Sequence, residues 1–113
     1  MENCIFCKII AGAIPCEKVL EDEEILAFRD INPCAPTHVL LIPKKHFANL
    51  AQARPEDQAV LGKLLLAAGD VALKLGLGSG YRLVSNCGQL AGQTVEHFHL
   101  HLLGGRAMQW PPG

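Results

Sequence analysis

Three histidines occupy alternate positions near the end of the chain: His97, His99 and His101. In an extended segment this spacing places all three imidazoles on one face, about 7 Å apart, and turns the apolar residues between them to the other face. Two kinds of chemistry need such a row. Three imidazoles could hold a metal ion with an open position for water. Alternatively, one neutral imidazole could attack phosphorus while a neighbour handles the proton of the leaving group.

The loop before this row favours attack on phosphorus. Gly88 and Gly92 allow the backbone to approach a ligand closely, and Gln93 and Thr94 add amide and hydroxyl donors that suit phosphate oxygens. An attacking imidazole also needs an acceptor, such as a carbonyl group, for its second ring nitrogen, because that bond fixes the reactive tautomer. The sequence therefore predicts nucleophilic catalysis on a phosphoryl group held by this loop.

A Cys-x-x-Cys pair, formed by Cys4 and Cys7, stands near the start of the chain. Such a pair supplies half of a four-ligand zinc site, and His46 and His97 are available as the other two ligands. The alternative is a pair of thiols without a metal. The remaining cysteines have no partner spacing and are interpreted as small apolar residues: Cys16, Cys34 and Cys87.

Five strands and two helices are expected to position these residues. The apolar patterns predict strands at residues 18–20, 25–28, 37–42, 81–86 and 96–103, a short helix within residues 5–10 and a long helix over 55–75. This order indicates one α+β domain over residues 1–113, with a mainly antiparallel sheet. The apolar arc of the long helix is wider than one sheet face can cover, which predicts a homodimer.

Composition excludes several classes of protein. The chain has 113 residues and a formal net charge of -1, without the basic clusters that bind a nucleic acid polymer. The N-terminus lacks the pattern of a signal peptide, and charged residues interrupt the most apolar stretch, so neither export nor a membrane span is expected. An odd number of cysteines, five, then agrees with reduced thiols in a cytoplasmic protein.

The run from His97 to Leu103 matches the His-x-His-x-His-x-x signature of the histidine-triad (HIT) superfamily. Further segments resemble the Hint branch of that superfamily: Pro36-Thr37-His38, Ile42-Pro43-Lys44-Lys45-His46, Gly92-Gln93-Thr94 and Met108-Gln109-Trp110-Pro111-Pro112-Gly113. The resemblance implies a homodimer whose five-stranded sheets join. It also implies hydrolysis of purine nucleoside 5′-monophosphoramidates through a nucleotidyl-histidine intermediate, with no cofactor required. Some bacterial members with a similar cysteine pair hold structural zinc.

The resemblance also assigns roles to individual residues. His99 is the expected nucleophile, His101 contacts the phosphate and assists departure of the amine, and His97 and His38 orient the site. Asp30 binds the ribose hydroxyls. The base pocket is expected from Ile5, Phe6, Ile9, Phe28 and Ile31, the phosphate side from Asn86, Gly92, Gln93 and Thr94, and a contact to the partner subunit's site from Trp110. Thr94 stands where the branch commonly has Ser.

Three other functions remain open at this point. The chain could be a purine nucleotide-binding regulatory or scaffold module with weak hydrolase activity. It could also be a metallohydrolase with His97, His99 and His101 around one zinc ion, or a dinucleoside polyphosphate hydrolase. The C-terminal Trp-Pro-Pro-Gly segment favours the Hint branch over the last of these.

Overall fold

The computed structural model describes residues 3–113 and contains one five-stranded sheet and two α-helices. The elements are α1 (Ile5–Ile10), β1 (Lys18–Glu21), β2 (Ile25–Arg29), β3 (Thr37–Pro43), α2 (Gln58–Lys74), β4 (Tyr81–Val84) and β5 (Leu100–Gly104). The strand order is β1-β2-β3-β5-β4, and every neighbouring pair is antiparallel. This confirms the predicted α+β fold, although the predicted domain of residues 1–113 begins two residues before the described range.

The two helices cover opposite faces of the sheet. On one face, α2 packs its buried residues against the alternate strand residues Ala27, Leu41 and Leu102. On the other face, Phe6 and Ile9 of α1 pack against a second set: Leu26, Phe28, Leu40 and Ile42. Because side chains alternate along a strand, β3 presents His38 on the face that α1 covers. The candidate catalytic histidines therefore lie on the face of the sheet that α1 covers.

The last two strands are shorter than predicted. β4 ends at Val84 instead of Asn86, and β5 begins at Leu100 instead of Glu96, so His97 and His99 precede the strand. The late start of β5 is explained by its neighbour in the sheet, β3, which ends at Pro43. Its carbonyl oxygen accepts a hydrogen bond from the His97 ring, at 2.7 Å, instead of from a backbone N–H. The predicted alternation still holds, because Phe98 and Leu100 pack into the α2-side core.

The long helix also differs slightly from its prediction. Residues 55–57 form a single 3₁₀ turn, and the α-helix continues from Gln58 to Lys74. Gly76 has a positive φ of 78°, which ends the helix as predicted. No helix within residues 3–113 combines the length and apolar character needed to cross a membrane.

Candidate active site

A cavity of about 360 Å³ opens on the face of the sheet that α1 covers. Its volume lies in the range of roughly 300–1,000 Å³ that is common for small-molecule sites. Most of the predicted site residues line it together: Ile5, Phe6, Ile9, Phe28, Asp30, Ile31, Thr94, His99 and His101. Its walls are apolar on the α1 side, while two imidazoles and one carboxylate supply polar atoms. The cavity therefore combines an apolar wall with a polar end that contains His99, His101 and Asp30.

His99 is buried against the wall of this cavity with a fixed tautomer. Its Nδ1 lies 2.7 Å from the backbone carbonyl oxygen of His97. A carbonyl oxygen only accepts, so Nδ1 must carry the hydrogen and Nε2 must keep its lone pair. The ring of Phe6 stands edge-on to the His99 ring, with centroids 5.2 Å apart, and limits its rotation. The ring therefore meets the requirement for a nucleophile that the sequence predicted.

His101 is held by a second imidazole, that of His38. The N–H of Cys34 donates to Nδ1 of His38 over 3.0 Å, so the hydrogen of a neutral His38 ring lies on Nε2. That nitrogen is 2.9 Å from Nδ1 of His101, which must accept. The hydrogen of His101 is consequently on Nε2. One backbone N–H thus sets the tautomers of two rings in succession and leaves His101 as a donor.

Burial keeps these rings neutral. It lowers the pKa of His99 below its usual range, against the opposing effects of the His97 carbonyl and the Asp30 charge. Burial, together with the neighbouring imidazoles, lowers the pKa of His101 to about 4. Burial also lowers the pKa of His38, although the charge of Asp30 opposes the shift. At pH 7 His99 is therefore in the neutral form that can attack phosphorus.

Asp30 lies at the rim of the cavity, beside His38. Its Oδ1 accepts the N–H of Asn32 at 2.8 Å, and its Oδ2 lies 3.4 Å from Nε2 of His38. A carboxylate has about four acceptor positions, so capacity remains on both oxygens. Because Asp30 lines the same cavity as His99, these positions suit a pair of hydroxyl groups on the bound molecule.

Gln93 has a different role from the one predicted. Its Nε2 donates to the carbonyl oxygens of Ala48 and Val95, at 2.7 and 3.0 Å. Its Oε1 accepts from Gly88 N, at 2.8 Å, and from Nδ2 of Asn49, at 3.3 Å. No donor of the side chain is left for a phosphate oxygen. Gln93 braces the loop, and Thr94 is the residue of this pair that reaches the cavity.

The predicted zinc ligands converge near the N-terminal end of α1. Nδ1 of His97 lies 3.3 Å from Sγ of Cys4 and 3.6 Å from Sγ of Cys7, and Nδ1 of His46 lies 3.4 Å from Sγ of Cys7 and 3.1 Å from His97 Nδ1. We call Cys4, Cys7, His46 and His97 the Cys–His cluster. Tetrahedral zinc with ordinary bond lengths requires ligand separations of about 3.3–3.8 Å. Three of these four separations fall in that range, and the distance between the two nitrogen atoms, 3.1 Å, is slightly shorter.

The hydrogen bonds around the cluster also suit a metal. Nε2 of His97 donates to the Pro43 carbonyl at 2.7 Å, so the lone pair of its Nδ1 points at the two sulfur atoms. A ligating histidine usually has such an acceptor on its other nitrogen, which fixes the ring. His97 consequently turns toward the cysteines and not into the cavity. Its predicted orienting role is carried by its backbone carbonyl.

A second group of candidate ligands, Asp30, His38 and His101, fits a metal poorly. The tautomer set by Cys34 places a hydrogen on Nε2 of His38, between the two rings, where a metal would need a lone pair. Within residues 3–113, no group of converging ligand atoms unites His97, His99 and His101. The structure therefore gives no support to a three-histidine metal centre.

Six residues predicted for catalysis or nucleotide binding lie outside the lining of the cavity: His38, His97 and Gln93, described above, and Asn86, Gly92 and Trp110. Asn86 follows β4 and is half-buried, Gly92 forms a turn with a φ of 90°, and Trp110 is 82% exposed. A hydrogen bond from Arg82 to the carbonyl of Gln109 anchors the tail before Trp110, at 2.7 Å. Whether Trp110 reaches a partner subunit's site stays a prediction.

Several lining residues were not foreseen, namely Ile14, Pro15, Arg29, Asn32, Leu40 and Val95. Leu40 could have been found, because it shares the alternating face of β3 with His38. Ile14 and Pro15 carry no comparable pattern, since they follow α1 in an irregular segment.

Comparison with known proteins agrees with this geometry. Residues 11–108 match the HIT domain family. An uncharacterized HIT-like protein of Synechocystis sp. is 58% identical over 112 residues, which cover 99% of this chain and 98% of that protein. The crystal structure of a HIT family hydrolase from Legionella pneumophila Philadelphia 1 superposes with a TM-score of 0.96 and 54% identity, covering 98% of this chain and 100% of that one.

A more distant solved structure extends the comparison. The histidine triad nucleotide-binding protein of Candida albicans has a TM-score of 0.83 and 36% identity, and the match covers 96% of this chain and 83% of that protein. The family match spans most of the chain, and the relatives share both its sequence and its fold. The chain therefore belongs to the HIT family.

Proposed function

We propose that the chain hydrolyses purine nucleoside 5′-monophosphoramidates through a nucleotidyl intermediate on His99. The observation that carries the proposal is the bond from His99 Nδ1 to the His97 carbonyl, which leaves a lone pair on Nε2 of a neutral ring in the cavity. The Legionella relative, named as a hydrolase, and the Candida relative, named as nucleotide-binding, are consistent with this function.

The cavity supports a nucleotide in one orientation. The purine lies among the apolar side chains of Phe6, Ile9 and Phe28, and the ribose hydroxyls donate to Asp30. The 5′-phosphate then reaches His99 and His101, which lie beside each other with ring centroids 4.9 Å apart. Thr94 supplies a hydroxyl near the departing group, and its methyl group narrows the space there relative to Ser.

In the first step the lone pair on His99 Nε2 forms a bond to the α-phosphorus. The phosphorus–nitrogen bond breaks, its electron pair goes to the nitrogen, and the amine leaves with the proton from Nε2 of His101. His101 takes up a replacement proton from solvent in the same step and stays a neutral imidazole. The His99 ring becomes positively charged as it bonds to phosphorus, and this charge at 4.9 Å favours release of the His101 proton. The carbonyl of His97 accepts from Nδ1 throughout and stabilises that charge.

In the second step water attacks the phosphorus from the side that the amine has left. One proton of the water passes to solvent by way of His101, the bond from phosphorus to His99 breaks, and its electron pair returns to Nε2 of His99. The products are the amine and the nucleoside monophosphate, and both rings regain their starting tautomers. One water is consumed, and the proton that solvent supplies in the first step is returned to solvent in the second.

The test compares wild type with His99→Ala. We expect hydrolysis of an adenosine 5′-phosphoramidate to fall by at least about 1,000-fold, because the nucleophile is lost. AMP affinity, measured by calorimetry, should remain within about threefold, since the ribose and base contacts stay. Mass spectrometry of quenched wild type should show an adenylyl adduct on His99. Hydrolysis by the variant at the wild-type rate would disprove the nucleophile assignment.

The same assay separates the alternative functions. A nucleotide-binding module would bind AMP but turn over the phosphoramidate no faster in the wild type than in His99→Ala. A dinucleoside polyphosphate hydrolase would prefer diadenosine polyphosphate over the phosphoramidate in kcat/KM. The proposal requires the opposite preference.

We also propose that the Cys–His cluster binds structural zinc. Its support is the set of ligand separations and the Pro43 acceptor behind His97. Zinc bound there would crosslink α1 to the segments that carry His46 and His97. We expect about one zinc per chain in protein purified without chelators, and much less in Cys4→Ser. A content below about 0.1 per wild-type chain would reject the site.

A homodimer is the third part of the proposal. Leu65, Leu66 and Leu73 of α2 are between 54% and 76% exposed, and β4 forms one edge of the sheet. An apolar cavity of about 400 Å³ between α2 and β4 includes Leu65 and Leu83 in its lining. A second copy packed on this face would cover it and could extend the sheet.

Sedimentation equilibrium tests the dimer. Wild type should have twice the chain mass, and Leu65→Glu should be monomeric because it places a charge in the apolar interface. Leu90→Glu changes a more exposed leucine in the loop after β4 and should remain dimeric. A monomeric wild type would reject the proposal.

A further inference from the structure

α1 takes part in both sites at once. Cys4 caps the helix with its sulfur, which accepts the N–H of Cys7 at 3.3 Å, and both cysteines point into the Cys–His cluster. The residues between and after them, Ile5, Phe6 and Ile9, line the cavity. A movement of the cysteines would therefore move one wall of the proposed nucleotide site.

The polar attachment of α1 to the rest of the chain runs through the two thiols. Within the part of the chain that the structure describes, the hydrogen bonds of residues 3–14 are local, except those from Cys4 to His97 and from Cys7 to His46 and His97. A helix of six residues is too short to be stable by itself. Apart from apolar packing by Phe6, Ile9 and Ile10, the Cys–His cluster holds α1 in place.

His97 connects the cluster to the nucleophile by a second route. Its ring faces the cysteines, whereas its backbone carbonyl accepts the hydrogen of His99 Nδ1. Phe6 touches both imidazoles edge-on, with centroid distances of 5.9 Å to His97 and 5.2 Å to His99. A ligand that fixes the His97 ring and the cysteines would therefore fix the carbonyl and the aromatic edge that hold the reactive ring.

We infer that the Cys–His cluster and the nucleotide cavity are coupled, so that a zinc ion in the cluster raises nucleotide affinity through α1 and residue 97. The inference rests on the proposed nucleotide and zinc sites, and it adds that binding at one site changes the affinity of the other. Coupling of this kind is reciprocal, so nucleotide must raise zinc affinity by the same factor. We expect a factor of about 10, within the range of roughly 5 to 150 that couplings between sites usually show.

The experiment measures binding in both directions, with Zn²⁺ and AMP as the probes. Metal-free wild type, prepared by chelation, and zinc-loaded wild type are titrated with AMP by calorimetry. Zn²⁺ affinity is measured by competition with an indicator, with and without saturating AMP. We expect AMP to bind about tenfold more tightly to the zinc form, and zinc to bind about tenfold more tightly with AMP. Amide hydrogen exchange of residues 5–11 should slow when zinc binds, independently of any nucleotide.

Two variants control the measurement. Cys7→Ser removes one ligand and should make AMP affinity insensitive to Zn²⁺, at the level of the metal-free wild type. Cys87→Ser changes an exposed cysteine outside the cluster and should keep the full effect. If Cys7→Ser does not fold, the reversible comparison of metal-free and zinc-loaded wild type still decides the question.

Equal AMP affinities for the two wild-type forms would overturn the coupling, and so would a failure to bind zinc. Failure of the proposed function would look different, because AMP would then bind neither form and the phosphoramidate would not be hydrolysed. In that case the coupling fails together with the nucleotide site, while hydrogen exchange still reports whether zinc fixes α1.

Discussion

Nε2 of His38 lies 2.9 Å from Nδ1 of His101, and a single hydrogen lies between the two rings. His38 and His101 are diagonal neighbours on β3 and β5, because Leu40 pairs with His101 and His38 pairs with Leu103. The backbone N–H of Cys34 fixes the order of donors along this chain of rings. His101 therefore faces the cavity with a hydrogen on Nε2 only as long as His38 is present.

Replacing His38 tests this relay. In His38→Ala, Nδ1 of His101 loses its donor, and the ring can adopt the other tautomer, which has no hydrogen to give. We expect kcat to fall about 100-fold on an alkylamine phosphoramidate, with a smaller change in KM. The loss should be much smaller on a nucleotide with a nitrophenolate leaving group, which departs without a proton.

Cys34→Ala is the matched control, because Cys34 acts through its backbone N–H and the variant keeps it. Its kcat should equal that of wild type on both substrates. A loss in His38→Ala that is equal for the two leaving groups would show that His38 only supports the fold.

Much of this architecture follows from the sequence by elementary rules. Apolar and β-branched runs predict the strands at residues 25–28 and 37–42, and Pro55 and Gly76 predict the two ends of the long helix. The row of histidines predicts one reactive face. The tautomer relay does not follow, because it depends on the register that makes His38 the diagonal neighbour of His101, and register is a property of the assembled sheet.

The two functions of the histidine row were separable only in the structure. The spacing of His97, His99 and His101 places all three on one face of an extended segment. Each histidine follows the previous one by about 7 Å along the chain, so the first and the last are far enough apart to belong to different sites. His97 turns to Cys4 because β3 ends at Pro43 and offers its carbonyl to the ring. Likewise, the loop sequence could not reveal that the side-chain amide of Gln93 forms its hydrogen bonds with backbone groups.

Asp30→Asn should weaken nucleotide binding. The amide has one acceptor oxygen in place of two, and its N–H₂ group faces the N–H of His38 if the oxygen keeps its bond to Asn32. We expect the AMP dissociation constant to rise about tenfold or more, as loss of hydrogen bonds to a charged group predicts.

A nucleotide without ribose hydroxyls gives the internal check. Wild type should bind AMP more tightly than its 2′,3′-dideoxy analogue, whereas Asp30→Asn should lose most of this preference. Asp70→Asn makes the same change of charge on α2, on the opposite side of the sheet, and should bind both nucleotides as wild type does. An unchanged preference in Asp30→Asn would place the ribose elsewhere.

Gln93→Leu should destabilise the chain. The substitution keeps the size of the side chain but leaves the N–H of Gly88 and the carbonyl groups of Ala48 and Val95 without their partner. Unpaired groups in a half-buried loop cost about 1–3 kcal/mol, and urea denaturation measures the loss directly. Gln89→Leu alters an exposed residue of the same loop and should change stability by less than about 0.5 kcal/mol. Equal free energies of unfolding for the two variants would show that the hydrogen bonds of Gln93 do not stabilise the fold.

Acidification should destabilise the fold through the buried imidazoles. The pKa of His101 is lowered to about 4 by burial and by the neighbouring rings of His99 and His38, with the charge of Asp30 in opposition. In the unfolded chain the same ring has a pKa near 6.5. Between these values the unfolded state binds more protons than the folded state, so stability falls as pH falls from about 6.5 toward 4 and is fully present above about 7.

The measurement is the free energy of unfolding in urea at several pH values from 5 to 7.5. His101→Gln removes an imidazole that stays neutral in the folded chain but takes up a proton in the unfolded chain. The slope of the unfolding free energy against pH in this window should therefore decrease, by an amount equivalent to at most about one bound proton. Gln89→Leu changes an exposed residue without an ionisable group and should keep the wild-type slope. A slope that is the same in His101→Gln as in wild type would mean that His101 takes up its proton in the folded chain, and the neutral donor next to His99 would have to be abandoned.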